Sequence, residues 1–535
     1  MPLSFWKRHD SDLESALPTA GAEQHGISHQ SSDNKKKNTL WLDGLRGYAA
    51  FFVFLGHFGS LYWCELAMVY ATQVPQGTTV PSWFPYGENT PNGERIAGPS
   101  DQKNSHFIQM PILRLLYDGD AMVAFFFIIS GYSLSIRPCT LIHQGRTTEL
   151  LPALSSAMLR RPIRLLLPVV VSTLLIALLF SVGAFSPAMD IQNGSREEFH
   201  KYFHGDHKGK DFLVQPTLVA QIEHWFLSLN DFFEFFTQKR YPNSSYDGHL
   251  WTIPVEFRCS VLLYLTQMAT ALLDVRVRLA ILGVLTIGAF TWGDAFEMAL
   301  FWAGMSLCEI DMTYRTRPGD KKRTDRNRVL IRGFGMTFAL LCGLYLASYP
   351  RHFPEYTPLF SGLAAIGIPG ASSFGQWRFW QGVGAIVCAI VVSGSLTVKK
   401  FLSNRVARYL GRISFSLYLV HGAITRGFSQ ALSVALWRLI GKDTPMQYNT
   451  VVFLTFIPTV MLLFAASHGF CTLVDEPIVR FAKWLESKLK SFSRPQVEWE
   501  KLPSDDHEDE MVGVARHDSC YGLLETGNMQ THVRD

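Results

Sequence analysis

The chain has 535 residues, of which 48% are hydrophobic, 13% aromatic and only 18% charged. This composition is too apolar for an ordinary soluble enzyme. The net charge of +4 is small, and the basic residues lie in short clusters between apolar blocks, so the sequence gives no support to nucleic-acid binding. The eight cysteines lack the spacing of a disulfide framework or a zinc site. The composition therefore indicates an integral membrane protein.

Residues 1–38 are polar and lack apolar periodicity, which predicts a disordered cytoplasmic tail without a cleaved signal peptide. The apolar blocks that follow are each roughly 18–25 residues long, enough to cross about 30 Å of hydrocarbon. Spanning helices are predicted at residues 40–62, 112–135, 165–185, 250–272, 279–293, 296–310, 329–348, 379–397, 413–435 and 449–472. The predicted fold is all-α, a polytopic transmembrane bundle of about ten helices.

The end of the chain is less apolar. After Glu476-Pro477, the stretch IVRFAKWLESKLKSF combines apolar and basic residues in a pattern typical of an interfacial helix. An acidic run, SDDHEDE, and a polar tail follow it. We expect a transmembrane domain at residues 39–485 and a disordered acidic tail at residues 486–535.

The distribution of basic residues predicts the orientation of the helices. With a cytoplasmic N-terminus, the inside loops contain Arg137, Arg146, Arg160, Arg161, Arg164, Arg276, Arg278, the segment 315–328, Lys399, Lys400, Arg405, Arg408 and Arg412, and the short loops on the other side are poor in Lys and Arg. Asn193 and Asn243 begin glycosylation sequons in the loop 186–249, which this layout places outside the cytoplasm. We expect a multi-pass glycoprotein of the endoplasmic reticulum or plasma membrane with both termini cytoplasmic.

The first predicted span contains three ionisable residues, Asp43, Arg46 and His57. Charged groups inside a membrane are costly unless they are paired or hydrated. Arg46 and His57 are eleven residues apart, so they share one helix face at about 16 Å along the axis. This stripe predicts the wall of a polar cavity with a fixed cation and a titratable base. The alternative is an Asp43–Arg46 pair that anchors the helix, with His57 bonded to a neighbouring carbonyl.

Blocks along the chain resemble, in order, the motifs of the acyltransferase 3 family of integral membrane O-acyltransferases. They are LDGLRGYAAFFVFLGHF, FFFIISGYSLS, RRPIRLLLP, HLWTIPVEF and LGRISFSLYLVHG, with Glu476-Pro477 where the family domain usually closes. The similarity covers roughly residues 39–485 and suggests a eukaryotic, fungal-type member. Ala124 is a departure, since many bacterial members have an Asp there.

The resemblance implies transfer of an acyl group from cytoplasmic acyl-CoA to a hydroxyl of a carbohydrate, lipid or small metabolite. Acyl-CoA is then a co-substrate, and no metal and no other cofactor is expected. Its phosphates need fixed cations, for which the candidates are Arg46, Arg160, Arg161 and Arg164. His57 is the candidate base that takes the proton of the attacking hydroxyl. For the arginines, the alternative is a purely topological role.

Three further residues belong to the predicted site. Glu256, just after Pro254 in an apolar span, is a candidate catalytic carboxylate that orients His57 or binds acceptor hydroxyls. The alternative for Glu256 is a structural pair with Arg258 or with another helix. Tyr418 and His421 share one helix face and are candidates for the acceptor side of the cavity, or else are satisfied residues of the bundle.

Two other classes of function remain open from the sequence. Polar residues on a shared helix face also describe a transport path, although the chain shows no repeated halves with paired Gly/Pro breaks. A non-enzymatic lipid-binding or sensor protein on the same fold is the other alternative. Only measured activity separates these classes.

Overall fold

A computed structural model describes residues 22–492, except 82–83, 85–86, 92–93, 99–103, 195, 206–212, 234–235, 237–243, 292–294, 316–325 and 369–372. The outer parts of both predicted tails, residues 1–21 and 493–535, and the sequon residue Asn243 lie outside the described residues. The predicted domain boundaries stay predictions.

The described chain is almost entirely helical. The α-helices are α1 (Ala22–Tyr62), α2 (Gly119–His143), α3 (Leu150–Ser181), α4 (Ser186–Asn193), α5 (Arg196–His200), α6 (Leu218–Phe232), α7 (Thr252–Thr270), α8 (Val275–Thr291), α9 (Phe296–Ile310), α10 (Arg326–Ala347), α11 (Ser361–Ala364), α12 (Ser373–Gly394), α13 (Leu396–Leu402), α14 (Arg405–Ala423), α15 (Gln430–Ile440), α16 (Pro445–Phe470) and α17 (Glu476–Phe492). The strands β1 (Gly87–Asn89) and β2 (Arg95–Ala97) form one short antiparallel pair.

The prediction of an all-α bundle is confirmed, because each predicted span overlaps a helix. Some observed helix boundaries differ from the predicted ones, because a capping side chain determines where the helix begins. The second helix begins at Gly119 and not at residue 112, since the Asp118 side chain accepts the N–H of Ala121 and caps the helix. At the N-terminus, α1 begins at Ala22, so part of the predicted tail has a helical backbone. The predicted interfacial stretch forms α17.

Four of the described helical stretches are long and apolar enough to cross a membrane: Gly119–His143, Thr147–Ser181, Gly375–Gly394 and Pro445–Phe492. The other predicted spans are shorter or more polar. For example, the 15 residues of α9 extend over only about 22 Å. The structure therefore gives four clear candidate spans, in α2, α3, α12 and α16.

Glycine brings α1 and α14 together backbone to backbone. A Cβ atom on Gly47 would lie 2.4 Å from the backbone nitrogen of Gly411, and one on Gly411 would lie 2.4 Å from the carbonyl oxygen of Asp43. Small residues allow this close approach between helices. The largest apolar cluster among the described residues includes side chains from α1, α2, α7, α9, α12 and α14. The two helices that carry Arg46, His57, Tyr418 and His421 are thus held in a fixed register.

Candidate active site

A cavity of about 480 Å³ lies between α1, α2, α3, α7 and α14. Its lining combines apolar side chains from α2 and α7 with an unusual concentration of charge. The charged lining residues are Arg46, Arg161, Arg164, Arg408, Arg412, Asp43, Glu256 and Asp475. We call it the arginine cavity. Because its arginines outnumber its carboxylates, it suits an anionic ligand.

Arg46 lines the cavity and is held from two sides. Its Nε donates a hydrogen bond to Ser414 Oγ at 3.1 Å, and its guanidinium lies 3.4 Å from Asp43 Oδ1. The predicted i, i+3 pair therefore exists. It does not remove Arg46 from the cavity, since the Arg46 side chain remains 39% exposed.

Arg161 and Glu256 form an ion pair across α3 and α7. The guanidinium donates to Glu256 Oε1 at 2.7 Å, and its Nε donates to Ser260 Oγ at 3.0 Å. Ser130 Oγ of α2 donates to the same carboxylate oxygen at 3.0 Å. Glu256 thus pairs with a residue of another helix, as in the structural alternative, and it lines the cavity as well.

The remaining predicted arginines of α3 take different positions. Arg164 lines the cavity close to Arg46, Arg161 and Asp475. Arg160 is instead held by Glu486 at 3.2 Å and is not among the described residues that line the cavity. Neighbouring basic residues on one helix turn therefore separate, because successive helical positions point about 100° apart.

Three histidines from distant parts of the chain meet beyond the cavity, and we call His57, His249 and His421 the histidine cluster. The ring centroid of His57 lies 3.8 Å from that of His249 and 5.3 Å from that of His421, and the last two rings are 5.0 Å apart. One ring nitrogen from each residue lies within 4.8 Å of the other two. The cluster joins α1, the turn before α7 and α14 in one polar centre.

The Nδ1 atoms of two of these rings lie close to oxygen atoms. His421 is fully buried, and its Nδ1 donates to the carbonyl oxygen of Tyr418 at 2.7 Å. A carbonyl only accepts, so the Nε2 of His421 carries no proton in the neutral ring. The Nδ1 of His249 lies 2.9 Å from Oδ1 of Asp247, a carboxylate that is 1% exposed.

Asp247 holds the turn that presents His249. Its Oδ1 accepts the backbone N–H of His249 at 3.0 Å. Burial alone would raise the pKa of Asp247, but the two neighbouring histidines, His249 and His421, and the backbone N–H of His249 together outweigh that effect, so the pKa lies below its ordinary value. The group is therefore a carboxylate at neutral pH.

Tyr418 connects the two parts of the site. It lines the arginine cavity, and its hydroxyl bonds to Thr252 Oγ1 at 2.7 Å and donates to the carbonyl oxygen of His249. His57 is not among the described residues that line the cavity. Arg46 and His57, both of α1, thus lie in two adjoining regions, the cavity and the histidine cluster. Tyr418 contacts both regions.

Sequence reasoning missed Asp247 and His249. His249 begins the block HLWTIPVEF, of which only Glu256 was a predicted site residue, and Asp247 precedes it by two residues. The available signal was an acidic residue and a histidine two positions apart, directly before a helix. Of the two sequon residues, Asn193 is exposed at the end of α4.

Comparisons with known proteins match the chain to one family model and to three fungal proteins. A family model described as "Acyltransferase domain" (Acyl_transf_3) matches residues 39–474. "O-acetyltransferase PaAT-1" of Phomopsis amygdali is 28% identical, over 88% of this chain and 89% of its own length. "Acyltransferase clz18" of Cochliobolus lunatus is 26% identical, over 84% of this chain and 96% of its own. "Acyltransferase R4" of a Phoma species is 26% identical, over 78% and 88%. No solved structure matches the chain.

Proposed function

Because the chain belongs to the acyltransferase 3 family and its similar fungal proteins are acyltransferases by name, we propose that this O-acyltransferase moves an acyl group from acyl-CoA to a hydroxyl of a small metabolite, lipid or carbohydrate. The name O-acetyltransferase of the Phomopsis relative favours acetyl as the acyl group. The observation that carries the proposal is the arginine cavity that adjoins the histidine cluster at Tyr418.

The arginine cavity is the proposed site for the phosphates of CoA. Arg46, Arg161 and Arg164 lie together on its wall, and a guanidinium binds phosphate through paired N–H groups. Ser414 and Glu256 hold Arg46 and Arg161 before a ligand arrives, so less side-chain entropy is lost on binding. Arg160, held by Glu486, acts on the ligand only through long-range charge.

The histidine cluster is the proposed site of the chemical step. His57 takes the proton of the acceptor hydroxyl while the hydroxyl oxygen attacks the thioester carbonyl. The new C–O bond forms as the C–S bond breaks, and the CoA thiolate leaves. The thiolate then takes this proton from His57, which yields the ester and free CoA.

Glu256, Tyr418 and His421 have supporting roles in this mechanism. Glu256 fixes Arg161 in the cavity, so we assign it to donor binding and not to proton transfer. The Tyr418 hydroxyl stands between the cavity and the cluster, where the thioester has to pass. His421 presents an unprotonated Nε2 that can accept a hydrogen bond from the acceptor.

The reaction takes place in a membrane in this proposal. The helices α2, α3, α12 and α16 are the clearest spans, and the arginines lie at the cytoplasmic side, where acyl-CoA is available. Asn193 then lies on the opposite side, in the endoplasmic reticulum lumen or outside the plasma membrane, and carries a glycan.

Binding of CoA is the direct test of the donor site. Purified protein in lipid nanodiscs is titrated with CoA by calorimetry, for the wild type and for Arg46→Ala. Loss of charge-assisted hydrogen bonds predicts a Kd about 10-fold to 100-fold higher. The control is Arg146→Ala, since Arg146 is an exposed arginine that pairs with Glu149.

The same preparations are then given labelled acetyl-CoA with a panel of hydroxyl-bearing acceptors. The expected result is acceptor-dependent release of CoA by the wild type. Wild-type protein that binds no CoA and transfers no label would overturn the proposal. Uptake of a solute into sealed vesicles without acetyl-CoA would favour a transporter instead.

A further inference from the structure

The helix α17 has no part in the proposed reaction, although its sequence is typical of an interfacial helix. We propose that residues 476–486 of α17 lie in the cytoplasmic surface of the membrane and bind anionic lipid. Phe481 and Trp484 lie among the acyl chains, and Arg480 and Lys483 bind the headgroups. This placement of α17 rests on the proposed membrane location of the chain and not on the acyl-transfer step.

The helix α17 follows a helix that is long enough to cross the membrane by itself. The 26 residues of α16 extend over about 39 Å, which exceeds the roughly 30 Å of hydrocarbon. The segment Cys471–Asp475 joins α16 directly to α17. The predicted orientation puts this end of α16 on the cytoplasmic side. Residues 476–486 therefore begin where the hydrocarbon gives way to the headgroups.

One row of side chains on α17 is buried against the protein, and a second row is not. Ile478, Ala482 and Glu486 repeat at i, i+4 and i+8, and each is at most 8% exposed. Phe481 and Trp484, at i and i+3, are 43% and 55% exposed, and their ring centroids are 5.7 Å apart. A helix in water normally buries its aromatic side chains and exposes its carboxylates. The reverse arrangement on α17 is expected where the exposed row faces lipid.

Two ion pairs fix the rotation of α17 about its own axis. Glu486 lies 3.2 Å from Arg160 of α3, and Glu476, the first residue of α17, lies 2.7 Å from Arg412 of α14. The contact at Glu486 holds the buried row against α3. The stacked aromatic rings of Phe481 and Trp484 are therefore held on the side of the helix that the protein leaves uncovered.

The third row of α17 is basic. Arg480 and Lys483 lie at i and i+3, both are exposed, and no ion pair joins either of them to a described residue. Anionic lipids are concentrated in the cytoplasmic leaflet, and each basic residue near that surface adds roughly 5-fold in affinity. An aromatic row beside a basic row matches the two layers of a membrane surface, acyl chains and phosphates. A soluble partner protein would not require this surface to begin at the end of a membrane-spanning helix.

The first test measures the surroundings of single side chains by nitroxide labelling and EPR of the full chain in lipid nanodiscs. Phe481→Cys, Trp484→Cys and Lys483→Cys are each labelled in a Cys342→Ser/Cys520→Ser background, because Cys342 is the described cysteine that is not buried and Cys520 lies outside the described residues. Labels at positions 481 and 484 are expected to collide more with oxygen, which dissolves in hydrocarbon, than with a water-soluble nickel chelate. The label at position 483 is expected to show the reverse.

Met461→Cys is the control, since Met461 is exposed on α16, a candidate membrane span. If the label at position 461 is in hydrocarbon while those at positions 481 and 484 collide mainly with the nickel chelate, the placement of α17 is wrong and the membrane location stands. If the label at position 461 is also in water, the membrane location itself fails. Labels at positions 481 and 484 that are shielded from both reagents would indicate a protein contact and would overturn the contact with lipid.

The second test measures the affinity of the full chain for an anionic headgroup. Protein in detergent is titrated with short-chain phosphatidylserine and, separately, with short-chain phosphatidylcholine. The wild type is expected to prefer phosphatidylserine, and Arg480→Gln/Lys483→Gln is expected to bind it about 30-fold more weakly, because two cations are lost. The matched control Arg480→Lys/Lys483→Arg keeps both charges and should keep the wild-type affinity. Equal affinity of the wild type for both lipids, or an unchanged affinity of the glutamine variant for phosphatidylserine, would overturn the role of the two cations.

Discussion

The arginine cavity and the histidine cluster differ in how their side chains are held. Arg46 and Arg161 are each held by two side chains and remain partly exposed, as a site for a mobile anion requires. His421 and Asp247 are almost completely buried. A hydrogen bond to the Tyr418 carbonyl oxygen orients the His421 ring, and Asp247 lies against His249. The difference supports the division of labour that we propose, with binding in the cavity and chemistry in the cluster.

The largest effect is expected for His57→Ala, which removes the proposed base. General-base catalysis contributes about 10²-fold to 10⁴-fold, so kcat should fall by that factor while the Kd for CoA stays the same. Turnover and CoA titration on one preparation measure both. His468→Ala, an exposed histidine of α16, is the control. Full turnover by a folded His57→Ala protein would contradict the division between the two regions.

Glu256→Gln should produce the opposite pattern. Loss of the negative charge weakens the hold on Arg161, and the KM for acetyl-CoA is expected to rise about 10-fold with a smaller change in kcat. Steady-state kinetics distinguish the two constants. A fall in kcat at constant KM would instead return Glu256 to the chemical step.

Gly411→Ala should affect both regions moderately. The added methyl would lie 2.4 Å from the carbonyl oxygen of Asp43, so it pushes α1 away from α14. We expect a loss of about 1–3 kcal/mol in the free energy of unfolding, seen as a lower melting temperature in nanodiscs. Gly469→Ala in α16, where an added Cβ atom meets no described atom within 4 Å, serves as the control, and equal melting temperatures for both variants would count against the close packing.

Asn193→Gln should have the smallest effect on activity. Removal of a sequon asparagine abolishes a glycan and leaves the site untouched, so only electrophoretic mobility is expected to change. Treatment of both proteins with a deglycosylating enzyme should bring the wild type and the variant to one common mobility. A wild type that lacks any glycan after expression in a eukaryotic host would argue against the proposed orientation.

Much of this protein follows from local sequence patterns. The helical fold, the Asp43–Arg46 pair and the shared face of Tyr418 and His421 depend on residues three or four positions apart, and helix geometry alone brings such residues together. The order of the motif blocks predicted the family that the comparisons then identified.

The tertiary structure decided which residues meet across helices. It paired Glu256 with Arg161 and Arg160 with Glu486, and it brought His249 into contact with His57 although these two are 192 positions apart in the numbering. Side-chain contacts between helices depend on helix rotation and on close approach at glycines such as Gly411 and Gly422. Periodicity within one helix contains no information about its neighbour's rotation, so the histidine cluster becomes visible only when the helices are packed.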